Sequence, residues 1–530
     1  MKTVLGAKRH PHTAGFGIFL ILVALIAGMM GCGGGGGGGD ERPPITFAIA
    51  QAMSDISGEH AWDAATMARD EINAGAGVDV GGVYHRIELV RVDTNEVLDT
   101  SEQGVSALLS VIDKVDFVLG GFRTENLVVY REVAMDAKKM FMDCGASTMS
   151  LTYSVLQDYD RYKYFFRVTP CNDAFLLASF FKMASAAGTP LKEALLAEGD
   201  GVVEDYRVPG DGKLRAAVVA ENTAWPAAAA MALQYKVGAL GYTLVGAWLV
   251  SPTATDISTE LSAIAATKPH IIFVAFSGPV GEVYSRQKPN LGMPAMTIGI
   301  NVPGQAKVHW ENTDGKCNGE LYLDCWAEDM ATGPKSLDFF NAFVNEFGDY
   351  PGYTAATYDA IYQLKEAIEA VSAANSWNKI EDVIAPTHID ALIQYLETNK
   401  WTAGVSYPAA YYPMPTVDKG DGKYALSEAQ VRALYPGLDT YSETGWMAYV
   451  DFILGQELNS VGHLPHDLVY GSGYATAIGA QWQDGHKVGV WPMDFGRDYD
   501  AAWTDQYGNW NFQYPGTKPL LIPIEGFLAS

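Results

Sequence analysis

From Ile45 onward the chain alternates short apolar runs with stretches whose apolar residues recur at helical spacing. ITFAIA (45–50) reads as a strand, and Ala61, Ala65, Ala68 and Ile72 mark one face of a helix over 59–73. RIELVRVD (86–93) predicts the next strand, and Thr100 with Gln103 forms a capping-box pattern opening a helix through Ile112. VDFVLG (115–120) and KMFMD (139–143) read as strands around a helix at 125–138. After YFFRVTP (164–170) the pattern restarts. LRAAVVA (214–220), YTLVGAWLV (242–250), HIIFVAF (270–276) and AMTIGI (295–300) predict strands, with helices at 225–240, at 256–267 and, shorter, before the last strand. Such alternation implies parallel sheets with helices packed on them, here as two doubly wound α/β units in tandem. Helices return at 335–347 and 354–374. Residues 400–460, rich in Tyr, Pro and Gly and without periodicity, read as an insertion or elaborated loop.

The segment ahead of this alternation has a different character. Lys2, Lys8 and Arg9 give a positive start, and Phe16 to Met30 is an apolar run of signal-peptide length, too short to span a membrane comfortably. It ends at Gly31-Cys32, followed by seven glycines. The small residue and Cys behind the apolar run resemble a bacterial lipobox, with Met29 where Leu is usual. That resemblance implies a signal peptide over 1–31, acylation of Cys32 and a flexible Gly-rich tether over 32–44. The expected location is periplasmic or cell-surface, with the membrane held through the lipid anchor alone.

Composition narrows the partners. The chain carries 36 Lys+Arg against 62 Asp+Glu, a formal charge of −26, which argues against nucleic acid or anionic lipid as a partner. Beyond Cys32, the cysteines Cys144, Cys171, Cys317 and Cys325 are even in number, as disulfides in an oxidising compartment require. Cys317 and Cys325 could staple a loop, and Cys144 and Cys171 each follow a predicted strand; buried thiols are the other reading. No C-x-x-C or His cluster favours a metal. P-loop, G-x-S-x-G and H-E-x-x-H patterns are absent from the sequence. GSGYAT (471–476) lacks the strand entry of a dinucleotide site, and HLPH (463–466) with Asp467 reads as a solvated loop because Pro465 breaks helical spacing. No enzyme activity, cofactor or metal is expected.

Eleven segments carry a more specific likeness. They are AMSDISGEHAWDAATMARDEIN (52–73), RVDTN (91–95), FVLGGFRTEN (117–126), CGAST (144–148), FFRVTP (165–170), VVAENTAW (218–225), TDISTELSAI (255–264), KPHIIFVAFSG (268–278), GIN (299–301), TAATYDAIYQLKEAIEAV (354–371) and QWQDGHKVGVWP (481–492). In this order and spacing the chain resembles the type I periplasmic binding proteins, in particular the leucine/isoleucine/valine-binding branch that serves ABC importers. The resemblance implies two Rossmann-like lobes joined by three hinge crossings and closing on a small ligand. The lobes are expected at 45–169 plus about 327–400, and at 170–326 plus about 401–530 with the insertion near 405–460.

In open α/β sheets ligands gather beyond the carboxyl ends of the strands, where backbone N–H groups and helix N-termini point outward. The loops there hold Ser57-Gly58, Arg123-Thr124, Gly145-Ala146-Ser147-Thr148, Trp225, Phe276 and Asn301. By resemblance Thr124 and Ser147 or Thr148 hold a ligand carboxylate, Arg123 adds a fork for it, and Trp225 and Phe276 clamp the ligand from the second lobe. Asn301 stands where amino-acid binders of this family place an acid for the ligand ammonium, and a neutral amide cannot balance that charge. Either Glu59, Glu125 or Glu282 takes that role, or the ligand has no α-ammonium. The expected function is delivery of an amino-acid-like or organic, aromatic carboxylate to an ABC permease. An extracellular sensory receptor with the same lobes is the alternative.

Overall fold

The structure, a computed structural model, describes residues 42–96, 101–169, 172–333, 335–401, 404–405, 409–411, 464–468, 477–491 and 518–529. The leader, Cys32, Thr100, Cys171, His463, most of the 405–460 insertion and GSGYAT lie outside the described residues.

Strands β1 (Ile45–Gln51), β4 (Ile87–Asp93), β5 (Phe117–Gly120), β6 (Phe141–Asp143) and β7 (Phe165–Arg167) form one parallel sheet, while β2 (Val78–Val80) and β3 (Val83–His85) make a small hairpin. The order β4-β1-β5-β6-β7 reverses direction between β1 and β5. Register sets a row of rings across it: Phe47 pairs with Phe117 at 5.2 Å and Phe141 with Phe165 at 5.7 Å between centroids. Such near-continuous apolar strands are buried on both faces, as parallel sheets require. The helices Ile56–Ala74 and Thr357–Asn375 cover this sheet and pack on each other, with Thr357 Oγ1 donating to the Ala61 carbonyl at 2.7 Å.

The second sheet repeats the plan. Strands β8 (Leu214–Glu221), β9 (Tyr242–Val250), β10 (Ile271–Phe276), β11 (Met296–Asn301) and β12 (Leu321–Asp324) are parallel in the order β9-β8-β10-β11-β12, reversing between β8 and β10. An antiparallel pair, β13 (Ile478–Gln483) and β14 (His486–Trp491), then extends it beyond β12. The chain therefore passes between the sheets after Arg167, after Asp324 and between Leu468 and Ile478.

Three parts of the chain escape the periodicity. The helix Asp173–Glu198, the longest described, is apolar on most of its faces and contains Gly188 and Pro190, so neither a polar stripe nor an uninterrupted pattern marks it. β12 to β14 alternate weakly because both faces are covered. Of the stretch that the resemblance placed with the second lobe, Tyr411 packs on Phe166 of β7 at 4.9 Å and Val405 N donates to Asp359 Oδ1 at 2.9 Å, so these residues join the first sheet's side.

Two expectations are corrected. Cys144, Cys317 and Cys325 are buried thiols and none is in a disulfide. Cys317 and Cys325 flank β12, and an extended strand rising about 3.3 Å per residue carries its ends beyond disulfide reach. Burial pushes the Cys144 thiol well above its usual range, which keeps it unreactive. HLPH is no solvated loop either. His466 and Asp467 are buried; His466 Nε2 lies 2.7 Å from Glu397 Oε1, and Asp467 Oδ1 lies 2.5 Å from Arg167 Nε. Among the described residues no helix is long and apolar enough to cross a membrane, and no three His, Cys, Asp or Glu side chains are placed to hold a metal.

Candidate functional site

Both sheets end their strands on one cleft, at the two points where strand order reverses. It is a concave site lined mainly by apolar side chains with a few polar groups among them, as small-molecule sites are. The first lobe contributes Phe122, Arg123, Thr124 and Glu125 after β5, Gly145 and Ser147 after β6, and Thr169 after β7. The second contributes Thr223, Trp225 and Pro226 after β8, Ser277 after β10, Ile300 and Val302 at the end of β11, and Leu323, Asp324 and Cys325 at β12. Leu176, Gln305, Tyr353 and Ala477 complete the wall.

Of the residues expected at the site, Arg123, Thr124, Gly145, Ser147 and Trp225 line this cleft together. Gly145 is required by geometry: a Cβ there would lie 1.7 Å from the Gly121 carbonyl oxygen, so the β5 and β6 loops meet only over a glycine. Ser57, Gly58, Ala146, Thr148, Phe276 and Asn301 do not line it. Ser57 is turned to Asp55, whose Oδ1 it meets at 2.7 Å, in the N-terminal cap of its helix, and Gly58 packs directly on the Ala52 backbone. The Ala146 and Thr148 carbonyls accept from Arg167, so these two brace the loop from behind. Phe276 is fully buried against Tyr284 at 5.3 Å and belongs to the core, because the last residue of a central strand points under the sheet as readily as over its rim.

Asn301 is also behind the wall. Its Nδ2 donates to the Tyr322 hydroxyl at 3.1 Å, and that hydroxyl is bonded in turn to Glu320. Ser285 Oγ donates to Glu320 Oε2 at 2.7 Å, while Oε1 has no partner among the described residues. Burial pushes the Glu320 carboxyl up to about 7, against 4.5 when exposed. The folded state therefore binds this proton more tightly than the unfolded chain. Stability contributed here is full below pH 4.5, falls as pH rises toward 7 and stays low above it. Glu320→Gln is expected to flatten that slope and raise stability at pH 8 by on the order of 3 kcal/mol. Urea titrations at pH 5 and pH 8 check it, and an unchanged slope would refute the assignment.

The cleft's electrostatics centre on Arg123, whose side chain is 5% exposed. Its Nη2 approaches Glu221 Oε1, from the end of β8, at 2.9 Å. The approach is off the N–H direction, and Nε and Nη2 have no hydrogen-bond partner among the described residues. Trp225 Nε1 and Thr169 Oγ1 are buried and unpartnered in the same sense. The Arg123 backbone N–H is held at 2.5 Å by Glu96 Oε2, a carboxyl raised by burial to about 7. On the opposite wall Asp324 is neutralised by Lys487 at 2.6 Å. Of the acids considered from sequence for an ammonium, Glu125 reaches the cleft; Glu59 and Glu282 do not line it. Glu221, Thr169 and Asp324 had a faint sequence signal, a polar residue at or just past the carboxyl end of an apolar strand. The remaining wall residues come from loops that only the fold brings together.

A model of the periplasmic binding protein family matches residues 51–403. No curated protein matches the chain. Solved structures share the fold at low identity. The leucine-binding protein LivK of Thermotoga maritima is 16% identical with a TM-score of 0.55, covering 84% of this chain and 97% of its own. An ABC-transporter solute-binding protein of R. palustris, solved with benzoate, is 13% identical with a TM-score of 0.56, covering 84% and 96%. The branched-chain amino acid transporter protein LivJ of Streptococcus pneumoniae, solved with isoleucine, is 15% identical with a TM-score of 0.51, covering 69% and 92%.

Proposed function

The chain belongs to the periplasmic binding protein family, and from this we propose that it is the lipid-anchored receptor of an ABC importer, taking a small carboxylate with an apolar, preferably aromatic, body. One observation carries the ligand class. The cleft is walled by Phe122, Trp225, Pro226, Leu176, Ile300 and Val302, yet buried polar atoms of Arg123, Trp225 and Thr169 have no hydrogen-bond partner among the described residues, Arg123 being ion-paired with Glu221 off the N–H direction. A buried donor left unsatisfied costs about 1–3 kcal/mol, so groups of this kind mark where a ligand supplies the acceptor. Arg123 Nε and Nη2 form a fork for a carboxylate, and the indole N–H and a hydroxyl add single bonds. Trp225 supplies a flat face for a ring. Relatives solved with benzoate and with isoleucine show that the fold accommodates both ligand types.

Benzoate and leucine at matched concentrations separate the two in a thermal-shift assay. A ligand at a hundred times its dissociation constant adds about 2.7 kcal/mol to apparent stability. The larger shift is expected from benzoate. A larger shift from leucine would make Glu125 the ammonium partner and overturn the aromatic-acid reading. For the anchor, Cys32→Ser is expected to move the protein from the membrane fraction to the soluble exported fraction, because two acyl chains bind stably and none leaves only the tether. Retention of that variant in the membrane would refute lipidation at Cys32.

A further inference from the structure

Arg123 and Glu221 belong to different lobes, one following β5 and the other ending β8, and they meet across the cleft. The Glu221 carboxylate is fixed on its own lobe: Ser277 N donates to Oε2 at 3.0 Å, Gly278 N to the same oxygen at 2.7 Å, and Thr223 Oγ1 to Oε1 at 3.2 Å. Both side chains are at least nine-tenths buried, at 5% and 0% exposure. Gly278 is part of the arrangement, since a Cβ there would lie 2.7 Å from Arg123 Nη2. The second lobe thus presents a preorganised anion, with a gap beside it of the shape a guanidinium needs.

We propose that Arg123 and Glu221 form an interlobe latch that holds the cleft closed without ligand, and that a carboxylate ligand enters by competing with Glu221 for Arg123. Opening the lobes returns both charges to water, which restores their hydration but forfeits a contact made in a low-dielectric setting. Closure is then biased before any ligand arrives, and a ligand anion meets a neighbouring negative charge that lowers its affinity. On the first-lobe side Glu125 faces the cleft, while burial shifts Glu96 and Asp55 toward their neutral forms, and Asp324 with Lys487 forms a neutral pair opposite, so Glu221 is the anion placed directly against the guanidinium. The competition half of the proposal rests on the carboxylate reading above, whereas the latch half does not.

The test uses the full chain with spin labels at the exposed positions Lys138→Cys and Gln234→Cys, one on each lobe, and reads the interlobe distance by pulsed electron resonance. Without ligand, the unmodified cleft is expected to give mainly the short distance, and Glu221→Gln mainly a longer one. Identical distance distributions in the two proteins would overturn the latch. A salt titration of the unmodified cleft needs no cleft variant: at 1 M salt the Debye length falls to about 3 Å, which favours the separated charges, and the long distance is expected to grow. No salt response would count against the latch even if Glu221→Gln misfolds. With benzoate as probe, Glu221→Gln is expected to bind about tenfold more tightly, and unchanged or weaker binding refutes competition. If benzoate binds neither protein while Glu221→Gln still opens, the latch stands and the carboxylate reading falls.

Discussion

Arg123→Met is expected to weaken benzoate binding by a hundredfold or more, measured calorimetrically against the unmodified protein. Truncating one member of a buried charge pair costs about 2–5 kcal/mol, and about 2.7 kcal/mol is already a hundredfold in affinity. The loss has two parts. The ligand carboxylate loses the fork formed by Nε and Nη2, and Glu221, still held by Ser277 N and Gly278 N, is left as an uncompensated anion facing the incoming one. Arg123→Lys restores the charge without the planar fork and is expected to fall between the two. Should Arg123→Met bind benzoate as tightly as the parent, the carboxylate lies elsewhere and Trp225 with Thr169 becomes the alternative place to look.

The largest expected effect on stability lies behind the site. Arg167 is fully buried, with Nε 2.5 Å from Asp467 Oδ1 and Nη1 3.3 Å from Asp143 Oδ2, and it donates to the Ala146 and Thr148 carbonyls. Arg167→Met takes the guanidinium from two buried carboxylates and two buried carbonyls, leaving the carboxylates with their neutral donors but no cation. Breaking such a pair costs about 3–5 kcal/mol. Urea denaturation at pH 7 is expected to show a loss of that size. Burial already raises the Asp143 carboxyl to about 6, and removing the guanidinium takes away the charge that opposes the rise. The variant is therefore expected to recover part of its stability as pH falls toward 5, where the Asp143 carboxylate takes up a proton. A loss under about 1 kcal/mol, or no recovery in acid, would mean that water replaces the guanidinium. The loop at Gly145 and Ser147 rests on the same network, since Asp143 Oδ1 accepts from Gly145 N at 3.1 Å and Ala146 N at 2.9 Å. Ligand affinity should fall together with stability in this variant.

Much of the fold was legible in the amino-acid sequence because parallel strands buried on both faces read as continuous apolar runs, and ITFAIA, LRAAVVA and HIIFVAF coincide with β1, β8 and β10 within a residue or so. The same rule pointed to the loops past strand ends: Arg123 and Thr124 after β5, Gly145 and Ser147 after β6 and Trp225 after β8 line the cleft, whereas Ser57 and Gly58 after β1 do not. Periodicity is silent where burial surrounds an element, and so the helix Asp173–Glu198 and the pair β13 and β14 were decided by packing. It is equally silent on which way a residue at a strand end turns. Phe276 and Asn301 sit at equivalent positions of adjacent strands and both turn inward, onto Tyr284 and Tyr322, while Trp225, one helix start away, faces the ligand space. Charge pairing is the clearest case. Arg123 and Glu221, or Arg167 and Asp467, are separated by far more chain than any local pattern spans; the approach of the two lobes brings the first pair within 3 Å, and the return of the chain beside β7 brings the second. Local apolar spacing thus determined the strands, the helices and the rim, while long-range desolvation decided which polar groups on that rim are partnered and which are left for a ligand.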